Sequence, residues 1–418
     1  MRYEFHPFYR PKTGNLAIPE LSDGFASSLD APADGFDPSP GTTAGGFLPF
    51  SCLTDEVPAG TYAIHLVLEA ASSLSPLFLF TGRKQLRDII SLKKGERYKK
   101  TFYQSVTEII PRYHQDAYPV RHLFFTCCAR TEEPLEPPVH YVDCYAEPVN
   151  GIPVAYLLGD STVTDQSCEI PYYPGACYSS WGQALPAFLS GRIAVENQAH
   201  CGLTTETFRT EGHMDLVKKY IRPGDFCLIQ FGHNDQKLPH LLADREYPSN
   251  LKRYIEEVRA AKATPVLVTS PGRNIWKPDG VYHELLAEHV QAVRDVGRET
   301  KVPVIDLHTF TVKHLMDDGQ EVSRGYFHPG DYTHTNEYGA YLSASLIAGE
   351  LHRLFGNTIP CREYPPAFRP PLHLWDSLMQ SNNRAGGTEQ KEQFDAMEKS
   401  ASALLEAIEQ AKKARRNL

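Results

Sequence analysis

Nowhere in the 418 residues does an apolar run approach the roughly 18 to 20 that a membrane helix needs. A helical membrane span is therefore not expected. The first residues, Met1-Arg2-Tyr3-Glu4-Phe5-His6, lack the apolar h-region of a secretory signal, and the chain is accordingly expected to be cytoplasmic. Positive charge is also short. A net charge of -9 leaves no broad basic surface to neutralise phosphates, which argues against nucleic acid as a partner. No cysteine pair has the C-x2-C spacing of a zinc site, so neither a metal nor a cofactor is expected. The nine cysteines are odd in number, and the adjacent Cys127-Cys128 falls in a strand-like run. Without an export signal, reduced and mostly buried thiols are expected instead of a disulfide framework.

What is present describes an ordinary globular chain, with 41% apolar and 22% charged residues, long enough for two domains. Residues 1 to about 60 are rich in Gly, Pro, Ser and Asp, as at 34–41, and read as loops and turns. Strand-like runs follow at 61–68, 76–80, 98–106, 121–128 and 139–145 with no helical pattern among them. In the first of these Tyr62, Ile64, Leu66 and Leu68 share a face. The spacing predicts a small antiparallel β-sandwich, with the proline-rich 132–138 as a stiff loop and 147–151 as a boundary. From Val154 the pattern changes to strands at 154–158, 193–196, 226–230, 265–269 and 302–306, alternating with helices that include 249–261, 282–300 and 336–355. That alternation predicts an α/β domain, a parallel sheet covered by helices on both faces. The expected division is 1–150, 151–358 and a proline-rich extension with a closing helix at 359–418. In the closing stretch Met397, Ala401, Leu404, Leu405 and Ile408 form an apolar stripe, suited to packing on the body or on a second subunit of a homo-oligomer. Its basic end, 412–416, suits a helix C-terminus.

Four stretches carry residue types that acyl transfer needs. The apolar run from Val154 stops at Gly159-Asp160-Ser161, a turn that can push a hydroxyl out at a strand end. A serine is a poor nucleophile unless a base lies within hydrogen-bond reach. Gly202, just past the strand at 193–196, lets a backbone N–H approach an oxyanion closely. Asn234, in Gln230-Phe231-Gly232-His233-Asn234-Asp235, can offer an amide donor to developing negative charge. Asp331 and His334, three residues apart at a helix entrance, can pair so that one ring nitrogen takes the carboxylate and the other takes the Ser161 proton. Alone, each is an ordinary turn, cap or surface histidine. Their order along the chain, three of them at strand ends, is what points to catalysis.

In wording, order and spacing these blocks resemble the SGNH (GDSL-type) hydrolases, whose serine, glycine, asparagine and histidine match Ser161, Gly202, Asn234 and His334. Gly159-Asp160-Ser161-Thr162-Val163, Trp181-Gly182-Gln183, the run from Ile229 to Lys237 and the run from Asp331 to Ala340 are most similar to the rhamnogalacturonan acetylesterase branch of carbohydrate esterases. The resemblance spans roughly 154–355. It implies a three-layer α/β/α catalytic domain, with Ser161 as nucleophile, His334 as base then acid, and Asp331 orienting His334. An oxyanion hole from the N–H groups of Ser161 and Gly202 and the amide of Asn234 completes the set. It also implies a galactose-binding-type β-domain before the catalytic one, and an acetylated oligosaccharide as substrate. Leu203 departs from an arginine often found there, and His200-Cys201 precedes Gly202, so His200 is a candidate substrate contact. Arg273 is open between a contact to an acidic sugar and a solvated loop arginine. The function expected is removal of acetyl groups from pectin-derived saccharides. The alternatives are another sugar deacetylase or short-chain esterase, and a carbohydrate-binding protein on an inactive esterase scaffold.

Overall fold

The computed structural model describes residues 1–8, 46–110, 115–130, 137–166, 172–372, 374 and 389–415. The turn-rich segment at 34–41 and most of the stiff loop at 132–138 lie outside them. The N-terminal part is two antiparallel sheets. One has strand order β1-β11-β4-β7, from β1 (Tyr3–Glu4), β4 (Gly60–Ala70), β7 (Arg97–Val106) and β11 (Val139–Pro148). The other has order β2-β3-β10-β5-β6, from β2 (His6–Phe8), β3 (Leu48–Leu53), β5 (Leu74–Thr81), β6 (Gln85–Leu92) and β10 (Phe124–Ala129). A two-strand ladder, β8 (Glu108–Ile109) with β9 (Tyr118–Pro119), stands apart. Ile64, Leu66 and Leu68 on the first sheet face Leu77, Leu79, Phe125 and Cys127 on the second. The expected sandwich is there.

Its second sheet is apolar on both faces. Phe78, Phe80 and Cys128 point away from the sandwich interior and join a cluster with Trp181, Leu185, Phe188 and Tyr341 of the following part. That is why Cys127 and Cys128 are both buried, with burial pushing both thiols up.

The remainder is a five-strand parallel sheet of order β13-β12-β14-β15-β16, from β12 (Val154–Gly159), β13 (Ala194–Asn197), β14 (Phe226–Gln230), β15 (Thr264–Val268) and β16 (Val304–Ile305). Helices α1 (Trp181–Ala184), α2 (Thr207–Thr210), α3 (His213–Tyr220), α4 (Glu246–Ala260), α5 (Ala287–Thr300), α6 (Leu307–Ser323) and α7 (Glu337–Phe355) follow in chain order. Tyr156, Leu158, Ile229 and Leu267 pack on α3, α4 and α5, while Leu157, Leu228 and Val266 pack on α7, giving three layers. The strand order reverses direction at β12, and the crevice at such a switch point is where α/β sheets hold ligands.

Several boundaries moved. α4 starts at Glu246, ahead of the expected 249, because Pro248 sits in its first turn, where a proline removes no helical hydrogen bond. α5 starts at Ala287 because Tyr282 stays extended in a bridge with Trp276. The closing helix, α8 (Glu389–Arg415), buries Leu404 and Ile408 against Ile275 with Tyr332 alongside; the Met397 side chain and Arg416 lie outside the described residues. Among the described residues, no helix is long and apolar enough to cross a membrane.

Candidate active site

Strand β12 ends at Gly159, whose lack of a side chain lets Val163 fold back against the strand; a Cβ there would stand 2.8 Å from the Gln230 carbonyl. Asp160, fully buried, accepts hydrogen bonds from the Thr162 N–H (2.9 Å) and the Thr162 hydroxyl (2.8 Å), an Asx turn that reverses the chain at once. Ser161 is left 8% exposed at its apex. Its carbonyl accepts from the Gln166 amide at 2.7 Å. Gln230 donates to the Thr162 hydroxyl at 2.7 Å and accepts from the Trp181 indole at 2.7 Å, tying the turn to the next strand and to α1.

The turn delivers Ser161 Oγ to 2.8 Å from His334 Nε2. Nδ1 of the same ring lies 2.8 Å from Asp331 Oδ2. Asp331 Oδ1 accepts from the N–H groups of Thr333 (2.7 Å) and His334 (2.9 Å), fixing the carboxylate against its own turn. Burial pushes the Asp331 carboxyl up, but the hydrogen bond and charge of His334 and the two backbone donors outweigh it and hold it at about 2. Directly after, Asn336 caps α7 by accepting from the N–H groups of Tyr338 and Gly339, while its amide donates to the carbonyls of Gly175, Gly325 and Phe327. The helix start is thereby anchored to two segments, one at Gly175 and one at Gly325 and Phe327.

Past β14, Gly232 has φ +141° and passes so close to Ser270 that a Cβ would stand 2.7 Å from its hydroxyl. The Asn234 amide that follows donates to the Leu203 carbonyl at 3.0 Å, and its oxygen accepts from Lys237 Nζ at 3.0 Å. With both ends held, the second amide hydrogen has a fixed direction. Gly202, at φ +83° with open space around a would-be Cβ, is required by conformation and not by room.

Residues 157–339 match the sequence model of the GDSL-like lipase/acylhydrolase family. The chain is 34% identical over 212 residues to the rhamnogalacturonan acetylesterase RhgT of Bacillus subtilis, spanning 48% of this chain and 89% of that one. The chain belongs to the GDSL-like lipase/acylhydrolase family. It is thus a carboxylic-ester hydrolase. It is also 30% identical over 202 residues to the uncharacterized esterase YxiM of Bacillus subtilis, covering 47% of this chain and 51% of that one. The crystal structure of YxiM covers 73% of this chain and 80% of its own at 22% identity, with a TM-score of 0.46.

Of the two expected substrate contacts, Arg273 is turned inward and His200 is partly exposed. Arg273 is 3% exposed; it donates to the Thr333 hydroxyl and, at 3.0 Å, to the His233 carbonyl. It is not a solvated loop arginine, and its guanidinium serves the loops that carry Asn234 and His334. His200 is partly exposed, but its Nδ1 lies 3.3 Å from the Cys201 carbonyl, its Nε2 is buried, and its ring packs 5.4 Å from that of buried His213. Leu203 is core, 2% exposed.

Other neighbours escaped the sequence reading. Tyr178 stacks on His328 at 3.6 Å between centroids, meets His334 edge-on at 5.7 Å, and brings its hydroxyl to 3.5 Å from Asp331 Oδ2. Burial lowers His328 to about 4, keeping that ring neutral at physiological pH. Lys237 closes the run from Ile229 and is legible there; Tyr178 lies in a loop with no pattern. Among the described residues, no three His, Cys, Asp or Glu side chains are grouped to hold a metal ion.

Proposed function

We propose that this esterase removes O-acetyl groups from acetylated, rhamnogalacturonan-type saccharides through an acyl-enzyme on Ser161. The observation that carries the reading is the unbroken relay Ser161 Oγ to His334 to Asp331, with 2.8 Å at each step. Ser161 Oγ attacks the acetyl carbonyl carbon as His334 Nε2 takes its proton. Asp331, ionised throughout the working range, keeps Nδ1 protonated and steadies the imidazolium. The carbonyl oxygen, now an oxyanion, receives hydrogen bonds from the N–H groups of Ser161 and Gly202 and from the Asn234 amide. When the tetrahedral centre collapses, the C–O bond to the sugar breaks and His334 returns the proton to the leaving alkoxide. Water, deprotonated by His334, then attacks the acetyl-serine carbonyl; as the bond from that carbon to Ser161 Oγ breaks, His334 returns the proton to Oγ, and the acetic acid released ionises to acetate.

Residues 151–358 are the unit proposed to carry this chemistry. The substrate class is supported by the 34% identity to a protein named rhamnogalacturonan acetylesterase. The test has two stages. Wild type should turn over p-nitrophenyl acetate and Ser161→Ala should not; undiminished turnover by the variant ends the assignment. On a panel of acetylated rhamnogalacturonan oligosaccharides, acetylated xylan and longer-chain esters, release of acetate from the first should be fastest. A preference for either of the others replaces the substrate and leaves the chemistry standing.

A further inference from the structure

We propose that the turn between β5 and β6 of the N-terminal sandwich is a working part of the esterase site, with Lys84 as a positioning residue that clips the Tyr178 segment to the His334 segment. The inference rests on the esterase reading above. Lys84 has φ +61°, a conformation that a glycine would adopt more easily. It is nonetheless a lysine, and it is 1% exposed. Its ammonium donates to the Tyr178 carbonyl at 3.1 Å and to Glu337 Oε1 at 3.4 Å, and Glu337 is itself only 6% exposed. The other Glu337 oxygen accepts from the Gly175 N–H at 2.8 Å. A buried ion pair of this kind is a weak source of net stability but a strong geometric constraint, because removing one partner strands the other.

The two segments that Lys84 joins run side by side. Ser179 N–H donates to the Thr335 carbonyl at 3.0 Å, and the Thr335 hydroxyl donates back to the Ser179 carbonyl at 2.7 Å. Tyr178, held at its carbonyl by Lys84, touches both His334 and Asp331 with its side chain. The neighbouring Arg83 reaches the serine side. It donates to the Asn197 carbonyl at 2.5 Å and pairs with buried Asp165 at 3.4 Å, and its own carbonyl accepts from Gln183 at 3.0 Å. Gln183 also donates to the carbonyl of Gln166, the residue that holds the Ser161 carbonyl. One hairpin tip is thus bonded toward both ends of the serine-histidine contact, and Phe78, Phe80 and Leu86 seat it on Trp181 and Leu185.

The test uses the full chain carrying Lys84→Met, and Lys84→Met with Glu337→Gln, which leaves no stranded charge. Turnover of p-nitrophenyl acetate gives kcat and KM, thermal melting gives stability, and the rate of Ser161 labelling by a fluorophosphonate reads the nucleophile without the acetyl substrate. The double variant is expected to melt near wild type, with kcat and labelling rate each down about 10- to 100-fold and KM within about twofold, as a small displacement of a catalytic group would produce. A folded double variant with wild-type kcat and labelling overturns the proposal. A double variant that fails to fold overturns it also, since with no charge stranded that assigns Lys84 to stability alone. A wild type inert to both probes is a different result; it removes the esterase reading and this inference with it.

Discussion

At the scale of single residues, the site divides into groups whose chemistry announces them and groups whose position makes them matter. Ser161, Asp331 and His334, which the fold brings into one relay, stood out in the sequence because only a few residue types can attack or carry a proton. Tyr178 and His328 did not, because a tyrosine in an irregular loop acquires its place only when the chain brings it against the histidine. Replacing Asn234 by Ala should lower kcat about 10²- to 10³-fold with KM little changed, as steady-state kinetics would show. Lys237→Met should do less damage, since Lys237 only steadies the Asn234 oxygen. Asp331→Asn should cost about 10⁴ in kcat in steady-state kinetics, because the carboxylate that holds Nδ1 protonated is lost. The same carboxyl bears on stability. Its value in the fold, about 2, is below the ordinary 3.8, so its contribution is complete above the ordinary value and disappears as pH falls through about 2. Acid melting curves of Asp331→Asn should therefore fall less steeply below pH 4 than those of wild type.

Among the elements, strands and helices with clean periodicity were read within a few residues, while those whose faces are occupied by unusual neighbours were missed. β6 is Gln-Leu-Arg-Asp-Ile-Ile-Ser-Leu, a composition too polar to suggest a buried strand. Arg87 and Asp88 are nevertheless 4% and 3% exposed, because Asp88 is matched by Lys100, Tyr98 and Arg362. α6 escaped because β-branched residues and Gly319, at φ +73°, interrupt its pattern. The short helix α1 carries a sharper constraint. A Cβ at Gly182 would collide with the Val163 carbonyl and stand 2.9 Å from both the Asn197 amide and a Leu157 methyl, all in the packed interior. Gly182→Ala should destabilise by about 1 to 3 kcal/mol in denaturant titration, as overpacking does. Because Val163 belongs to the turn that presents Ser161, kcat should fall with it.

For the molecule as a whole, the fold class followed from alternation, but the way the two parts share their interior did not, since hydrophobicity on both faces of a strand does not say what covers each one. Glu196 lies along that seam, 5% exposed, and burial pushes it up to about 7 against the opposing hydrogen bonds of Ser105 and Thr107 and the charge of Arg83. A carboxyl raised in the fold stabilises below its ordinary value of 4.5 and loses that contribution as pH climbs through about 7; the change is on the order of 3 kcal/mol. Glu196→Gln should accordingly melt higher than wild type at pH 8, and the difference should shrink toward pH 5. The same seam has a calorimetric consequence. With Leu77 and Leu79 committed to one interior and Phe78 and Phe80 to the other, strand β5 cannot fray without opening both. Heating the intact chain should therefore record a single cooperative endotherm, where two independently folding halves would give a pair.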